Sequence, residues 1–301
     1  MEETLNELLI QILKSVILLA YAFGLLAITW PLFLFLEKRS PVTTQAPGAR
    51  YHFNWAITAS NFLLTPLVYA VVVTMTVLVA RRFDLPLLPY PDFPIETGIA
   101  LIDTSLRGVA FFLTGCFLGD LWYYGWHRAQ HEIPWLWEFH KLHHSDESMN
   151  ATTMYRSHFF ELAGQALVRG LTVGLLVDLT GSEKILVATI AAGLLPPIWD
   201  IYIHANVRAD RLHRLVPFFS TPHYHWIHHS RLPEHQDKNY AIWLPLFDVL
   251  FGTYFKPQID EYPPTGLSSG EKIETVWEAQ AGPIRDLITH ARGPRRNRPS
   301  Q

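Results

Sequence analysis

Twelve of the chain's fifteen histidines fall in two windows, residues 127–158 and 204–229. Their spacing is that of metal chelation. His127 and His131 are four apart at the polar end of an apolar stretch, and helical geometry puts such residues on one face with about 5–6 Å between Cβ atoms. Two imidazoles so placed can hold one metal. His140, His143 and His144 follow as HxxHH, and the pattern recurs as His225, His228 and His229. Helical spacing brings each trio onto one side. A single pair of this kind is usually surface decoration. Burying eight imidazoles in three sets without metal, however, would leave many polar atoms seeking partners. Eight ligands exceed the needs of one four- or six-coordinate ion, so two metals are implied.

Ligating histidines usually pass their other N–H to a carboxylate or carbonyl. His204 follows Asp200 by four residues, which makes it a ninth candidate ligand with Asp200 as its support. Asp120, Tyr124, His127 and His131 form a helical stripe from which Asp120 is expected to orient His127, through Tyr124 or a water. His158 stands between ligand, supporter and cavity wall. His213, His223 and His235 lack a partner at chelating spacing and are read as structural, and His52 and His290 as surface residues. Imidazole suits iron, zinc, copper and nickel alike. A structural zinc site would be closed by four ligands, often cysteines, and Cys116 is the one cysteine here. Two iron ions with open positions for O2 are the better expectation, with zinc possible in isolated protein.

The elements that must position these residues are apolar. Hydrophobic residues make up 49% of the 301 and charged residues 17%, with ten tryptophans, too apolar for an ordinary soluble domain. With a net charge of −3 and no long run of one sign in the body, nothing suggests a nucleic-acid partner. The run from Leu8 to Leu36 reads as a retained anchor, and Thr58–Ala80, Gly98–Trp126, Phe160–Leu179 and Lys184–His204 each approach the roughly 20 residues that cross a bilayer. The last two are expected to form a hairpin about the polar turn Thr180–Glu183. Pro86–Pro94 reads as an irregular connection, and the segment from Arg292 as a solvated basic tail. Pro134 and Pro222 are placed as first helical residues, the latter behind Thr221 as N-cap. The basic stretch from Val207 and the loop from Lys38 to Arg50 put the histidines on the cytoplasmic side, with Arg81 and Arg82 arguing the other way.

The segments DLWYYGWHRAQH, LWEFHKLHHS, YRSHFFE, HANV, TPHYHWIHHS and DKNYAIWLPLFDVLFGTY, between Asp120 and Tyr254, resemble the fatty acid hydroxylase/sterol desaturase superfamily. That resemblance implies an all-α integral membrane helical bundle with a cytoplasm-facing helical cap, and oxygen-dependent oxidation of a lipid. It carries metal-ligand roles to the eight motif histidines and, more weakly, to His204 and His158. Asn239, in the pair Asn239–Tyr240, is a further possible supporting residue or ligand, and Ala241 departs from the family's usual glycine at a turn. The expected division is an anchor region over 1–119, a catalytic domain over 120–256 with a hairpin at about 160–204, and a polar extension over 257–301.

Alkyl C–H bonds resist acids, bases and nucleophiles, so lipid oxidation needs a cofactor that activates oxygen. The sequence has no GxGxxG fingerprint and no CxxC cluster motif, which implies a separate reductase and electron carrier. Hydroxylation is the leading reading. Desaturation on the same site is the alternative, and a metal-binding membrane transporter or carrier is the alternative of another class. The purified chain is expected to hold about two transition-metal ions. Elemental analysis finding none after metal-replete expression would overturn the dimetal reading, whereas zinc in place of iron would not.

Overall fold

The computed structural model describes residues 28–43, 51–83, 94–172 and 198–292, together with Asn6, Leu9, Leu13 and Gly24. Among the described residues the chain is helical, and its one β feature is an isolated bridge between Ser230 and Thr265. The helices in order are α1 (28–39), α2 (Tyr51–Phe83), α3 (Ala100–Glu132), α4 (Pro134–His144), α5 (Phe159–Thr172), α6 (198–204), α7 (Pro222–His228), α8 (Leu246–Phe251) and α9 (Val276–Arg292). The stretch Thr58–Ala80 lies within α2 and all but the first two residues of Gly98–Trp126 within α3, each helix being 33 residues long. No helix among the described residues is long and apolar enough to cross a membrane. Most of the expected anchor at Leu8–Leu36, the Pro86–Pro94 connection, the Thr180–Glu183 turn and the basic tail lie outside the described residues.

One sharp turn decides how the first two histidine sets meet. Ile133 ends α3 and begins α4, with φ −94° and ψ 112°. Proline's ring keeps the residue before it out of the helical region, so Pro134 stops α3 at Ile133 and starts α4 in a new direction. His127 and His131 are thereby turned toward His140 and His144. At α7, Thr221 is extended, its hydroxyl accepts the Tyr224 amide at 3.3 Å, and Pro222 opens the helix.

Small apolar clusters buttress the backs of these helices. Phe33 packs with Ala151, Ile201 and Ala205 behind α6. Leu142, between the histidines of α4, packs on Ile57, Ile273 and Ala279, and Tyr124 of α3 packs with Tyr240, Ala241 and Phe247. Buried charges tie the segments between them. Glu37 accepts the amides of Ala151 at 2.7 Å and Asn206 at 2.9 Å. Arg156, with no exposure, donates to Leu142 O, Ser145 O and Ile273 O, closing the end of α4. Residues beyond 257 are part of this packing, since Lys141 of α4 pairs with Asp286 of α9 at 3.2 Å.

The close approach of α5 to α3 depends on a missing side chain. A Cβ on Gly164 would stand 2.5 Å from Cη2 of Trp126, the residue before His127. Gly164→Ala should therefore cost about 1–3 kcal/mol through overpacking, lowering the thermal unfolding midpoint. Adding Trp126→Phe should recover part of the loss; an unchanged midpoint in Gly164→Ala would contradict the packing.

Candidate metal centre

Nine histidines converge in the interior, and all are buried. His127, His131, His140, His144 and His228 form one cluster, and His143, His204, His225 and His229 a second; within each, the ligand atoms lie within 4.8 Å of one another. The sequence motifs are not the unit of this division. Each HxxHH is split, with His140 and His144 in the first cluster and His143 in the second, while His225 and His229 join the second and His228 the first. At about 100° per residue, positions i and i+4 differ by about 40°, whereas i+3 falls about 60° to the other side. The i, i+4 pairs thus share a cluster and the i+3 residue crosses to its neighbour.

The protonation of four of these rings is set by fixed acceptors. His127 Nδ1 lies 2.8 Å from Tyr240 O, His140 Nδ1 2.9 Å from Glu161 Oε1, His204 Nδ1 2.7 Å from Asp200 O, and His228 Nδ1 2.8 Å from Lys238 O. A carbonyl only accepts, so Nδ1 carries the proton in His127, His204 and His228 and Nε2 presents a lone pair; an ionised Glu161 fixes the same tautomer on His140. The Nε2 atoms of His127 and His140 nevertheless stand 3.1 Å apart. These are two lone pairs aimed at each other. His204 offers its single Nε2 lone pair to Nε2 of both His143, at 3.1 Å, and His225, at 3.0 Å. His131 Nε2 and His228 Nε2 have no hydrogen-bond partner among the described residues.

Protonation does not relieve this. Burial pushes the imidazolium pKa of His127 down to about 4, against a weaker upward pull from the Tyr240 carbonyl. Burial, reinforced by neighbouring imidazoles, takes His131, His140, His143, His144, His225 and His229 well below the usual range. Neutral rings with converging lone pairs are what a cation requires, and ligand nitrogens about 2.0–2.1 Å from a metal are naturally about 3 Å from one another. The donor set therefore fits one metal ion in each cluster.

The supporting residues differ in part from the expected ones. Asp200 does sit beside His204, its backbone carbonyl taking the ring N–H and its carboxylate lying 3.2 Å away. Asp120 does not reach His127. Its carboxylate accepts the amides of Trp243 at 3.0 Å and Leu244 at 2.7 Å, because the chain after Tyr240 folds across α3 with those donors unpaired. His158 joins neither cluster: Nδ1 accepts the Phe160 amide at the start of α5, and Nε2 faces Gln280 O of α9. Asn239, at φ 60°, clamps Tyr224 O and both backbone groups of Phe255. His223 is buried against Tyr262, and His235 is held by Ser230.

Glu161, three residues past His158, was not foreseen. It faces His140 across 21 residues of sequence, and no local spacing announces that contact. The Tyr240 and Lys238 carbonyls were invisible for another reason, since residue type says nothing about where a backbone oxygen points. Asp248 aims the first of them by accepting the Tyr240 and Ala241 amides, both at 2.8 Å, and the Tyr224 hydroxyl at 2.6 Å. A small cleft opens beside the first cluster, lined by His131, Trp137, His144, His228, Gln236 and Asp237.

His143→Ala and His228→Ala should each lose bound metal, measured by elemental analysis after chelator competition, while His223→Ala should retain it. Glu161→Gln should weaken metal affinity by about 10–100-fold, the usual cost of losing a ligand's hydrogen-bonded support. Retention of metal by His228→Ala together with its loss from His223→Ala would contradict the assignment of α7.

The fatty acid hydroxylase family model matches residues 112–253. Alkylglycerol monooxygenase of Caenorhabditis elegans is 30% identical over 183 residues, covering 57% of this chain and 32% of that protein. Ornithine lipid hydroxylase of Rhizobium tropici is 30% identical over 143 residues, 48% of this chain and 41% of the other. Cholesterol 25-hydroxylase of Homo sapiens is 29% identical over 141 residues, 45% and 48% respectively. The chain thus spans less than half the length of each of these relatives. No solved structure matches. The segment that carries all nine converging histidines, residues 112–253, is thus the part of the chain that matches the fatty acid hydroxylase family.

Proposed function

We propose that the chain is a membrane-bound, iron-dependent oxygenase that hydroxylates a lipid. The observation that carries this reading is the pair of buried all-imidazole clusters with opposed Nε2 lone pairs. Bound iron would supply the activation of O2 and the abstraction of hydrogen from an alkyl chain, which no amino-acid side chain performs. Iron is favoured over zinc because the reaction class of the named relatives, hydroxylation and monooxygenation, requires redox chemistry. Those relatives act on an alkylglycerol, an ornithine lipid and cholesterol, by their names, and the shared property is an apolar chain or ring with a polar head. A lipid of that kind is the proposed substrate.

The chain's own residues have three tasks in this reaction. The nine histidines would hold the metals through ring nitrogens, with His127, His140, His204 and His228 oriented by Tyr240 O, Glu161, Asp200 O and Lys238 O. Trp137, 5.1 Å from the His131 ring and 5.5 Å from that of His144, shields the first cluster beside the cleft. The cleft, lined by Ser230, Gln236 and Asp237, is suited to small polar species such as water and protons rather than to an alkyl chain. Membrane residence is supported by the composition and by exposed apolar side chains such as Leu101, Val109 and Leu113 along α3. The histidine centre would lie near the cytoplasmic surface, and electrons would come from a separate reductase and carrier.

The test is aerobic incubation of iron-loaded protein with a reductase system and a host lipid extract, followed by mass spectrometry. A lipid gaining one oxygen atom supports the proposal. A lipid losing two hydrogens would convert the reading to desaturation, and no iron- and O2-dependent product would refute both.

A further inference from the structure

Residues 205–221 join two of the helices that build the second cluster, leading from His204 on α6 to His225 on α7. Their middle is a 3-10 helix, Asp210–Leu215. With 3.0 residues per turn, side chains three apart eclipse one another, so this helix has three edges of different character. Leu212 and Leu215 share one edge, and both are exposed, at 36% and 45%. Arg211 and Arg214 share the next, both exposed and without an ion-pair partner among the described residues. Asp210 and His213 share the third, which turns inward: His213 is half-buried, its ring 5.7 Å from that of His223. The turn that follows adds Phe218 and Phe219, 66% and 44% exposed, around a buried Val216.

An apolar edge of leucine and phenylalanine beside a row of free arginines is not the surface of a loop that rests in water. Arg208, at the start of the segment, shows the contrast, because it is neutralised by Asp210 at 3.2 Å and Asp260 at 3.0 Å. Arg211 and Arg214 have no such counterion. Amphipathic elements with this division lie in the plane of a bilayer interface, apolar side chains at the acyl boundary and basic ones among headgroups. Phe219 also stands 6.4 Å from Trp199, which stacks on Trp243 at 5.3 Å, and clustered aromatic rings favour the same depth.

We infer that residues 208–219 form an interfacial anchor that docks onto a bilayer surface rich in anionic lipid, with Leu212, Leu215, Phe218 and Phe219 inserted and Arg211 and Arg214 on lipid phosphates. This rests on the membrane residence proposed above but not on the chemistry. Its consequence is that the link between the helices bearing His204 and His225 sits at the level of lipid headgroups, where a substrate's polar end would lie.

The test uses the full chain with Cys116→Ala, a spin label on Phe218→Cys, and reconstitution into bilayer discs of phosphatidylcholine alone or mixed with phosphatidylglycerol. A label on Leu113→Cys, in α3, is the control, and retained metal content checks the fold. Relaxation by O2, which partitions into lipid, should dominate over a water-soluble nickel chelate at position 218 in the anionic discs. A basic residue near an anionic surface is worth about fivefold in partitioning, so Arg211→Gln with Arg214→Gln should lower the inserted-to-withdrawn ratio by roughly 30-fold. Chelate-dominated relaxation at 218 with lipid-dominated relaxation at 113 would overturn the anchor and leave membrane residence standing. Protection of 218 from both reagents would overturn it in favour of a protein partner, and equal insertion in both discs would remove the anionic preference. Water exposure at both positions would take membrane residence down with it.

Discussion

The structure turns on a repulsion. Four imidazoles have their Nδ1 protons committed to acceptors that accept only, and two of them, His127 and His140, then face one another through bare Nε2 lone pairs at 3.1 Å. With Glu161 ionised, hydrogen bonding cannot resolve that contact, and burial opposes the proton that would. A cation between the rings can. Each further feature of the fold bears on keeping those lone pairs convergent: the turn at Ile133–Pro134, the grip of Arg156 on the end of α4, and the Asp248 knot that aims the Tyr240 carbonyl at His127.

The two clusters are chemically unequal. The first has five imidazoles, a carboxylate hydrogen-bonded to His140, another 3.7 Å from His131 Nδ1 in Asp237, and a cleft leading out. The second has four, with Asp200 beside His204 as its acidic neighbour. Carboxylates behind ligating imidazoles make them better donors, so the first cluster would hold its ion in the more electron-rich setting while also being the more approachable. The crossing of the HxxHH motifs ties the two together, because α4 and α7 each contribute to both. Motion of either helix disturbs both clusters at once.

The histidines were legible because their signal is local. Spacings of three and four are short-range facts, with Pro134 and Pro222 announcing the helices of both HxxHH sets, and the eight motif histidines together with His204 are the nine that the structure gathers. How they divide between clusters was not legible, since that depends on helix phase relative to a partner helix. Asp120 shows the same limit: its stripe with His127 is real, but long-range donors at Trp243 and Leu244 compete for the carboxylate and win. His158 read as ambiguous for want of knowing that α9 returns to meet it through Gln280. Helicity was implied by the family resemblance and agrees with the histidine spacing, whereas the tethering of residues beyond 257 to α4 through Lys141 and Arg156 had no pattern in sequence.

The central claim is that two metal ions are each held by imidazole nitrogen from this one gathering of histidines. X-ray absorption on iron-loaded protein tests it most directly, because imidazole rings add a recognisable outer-shell scattering that carboxylates and thiolates do not. The clusters predict four to five imidazoles per metal, at iron–nitrogen distances in the range of about 2.0–2.2 Å typical of such ligands. A spectrum fitted by two or fewer imidazoles per metal, or by mainly carboxylate oxygen, would contradict the account.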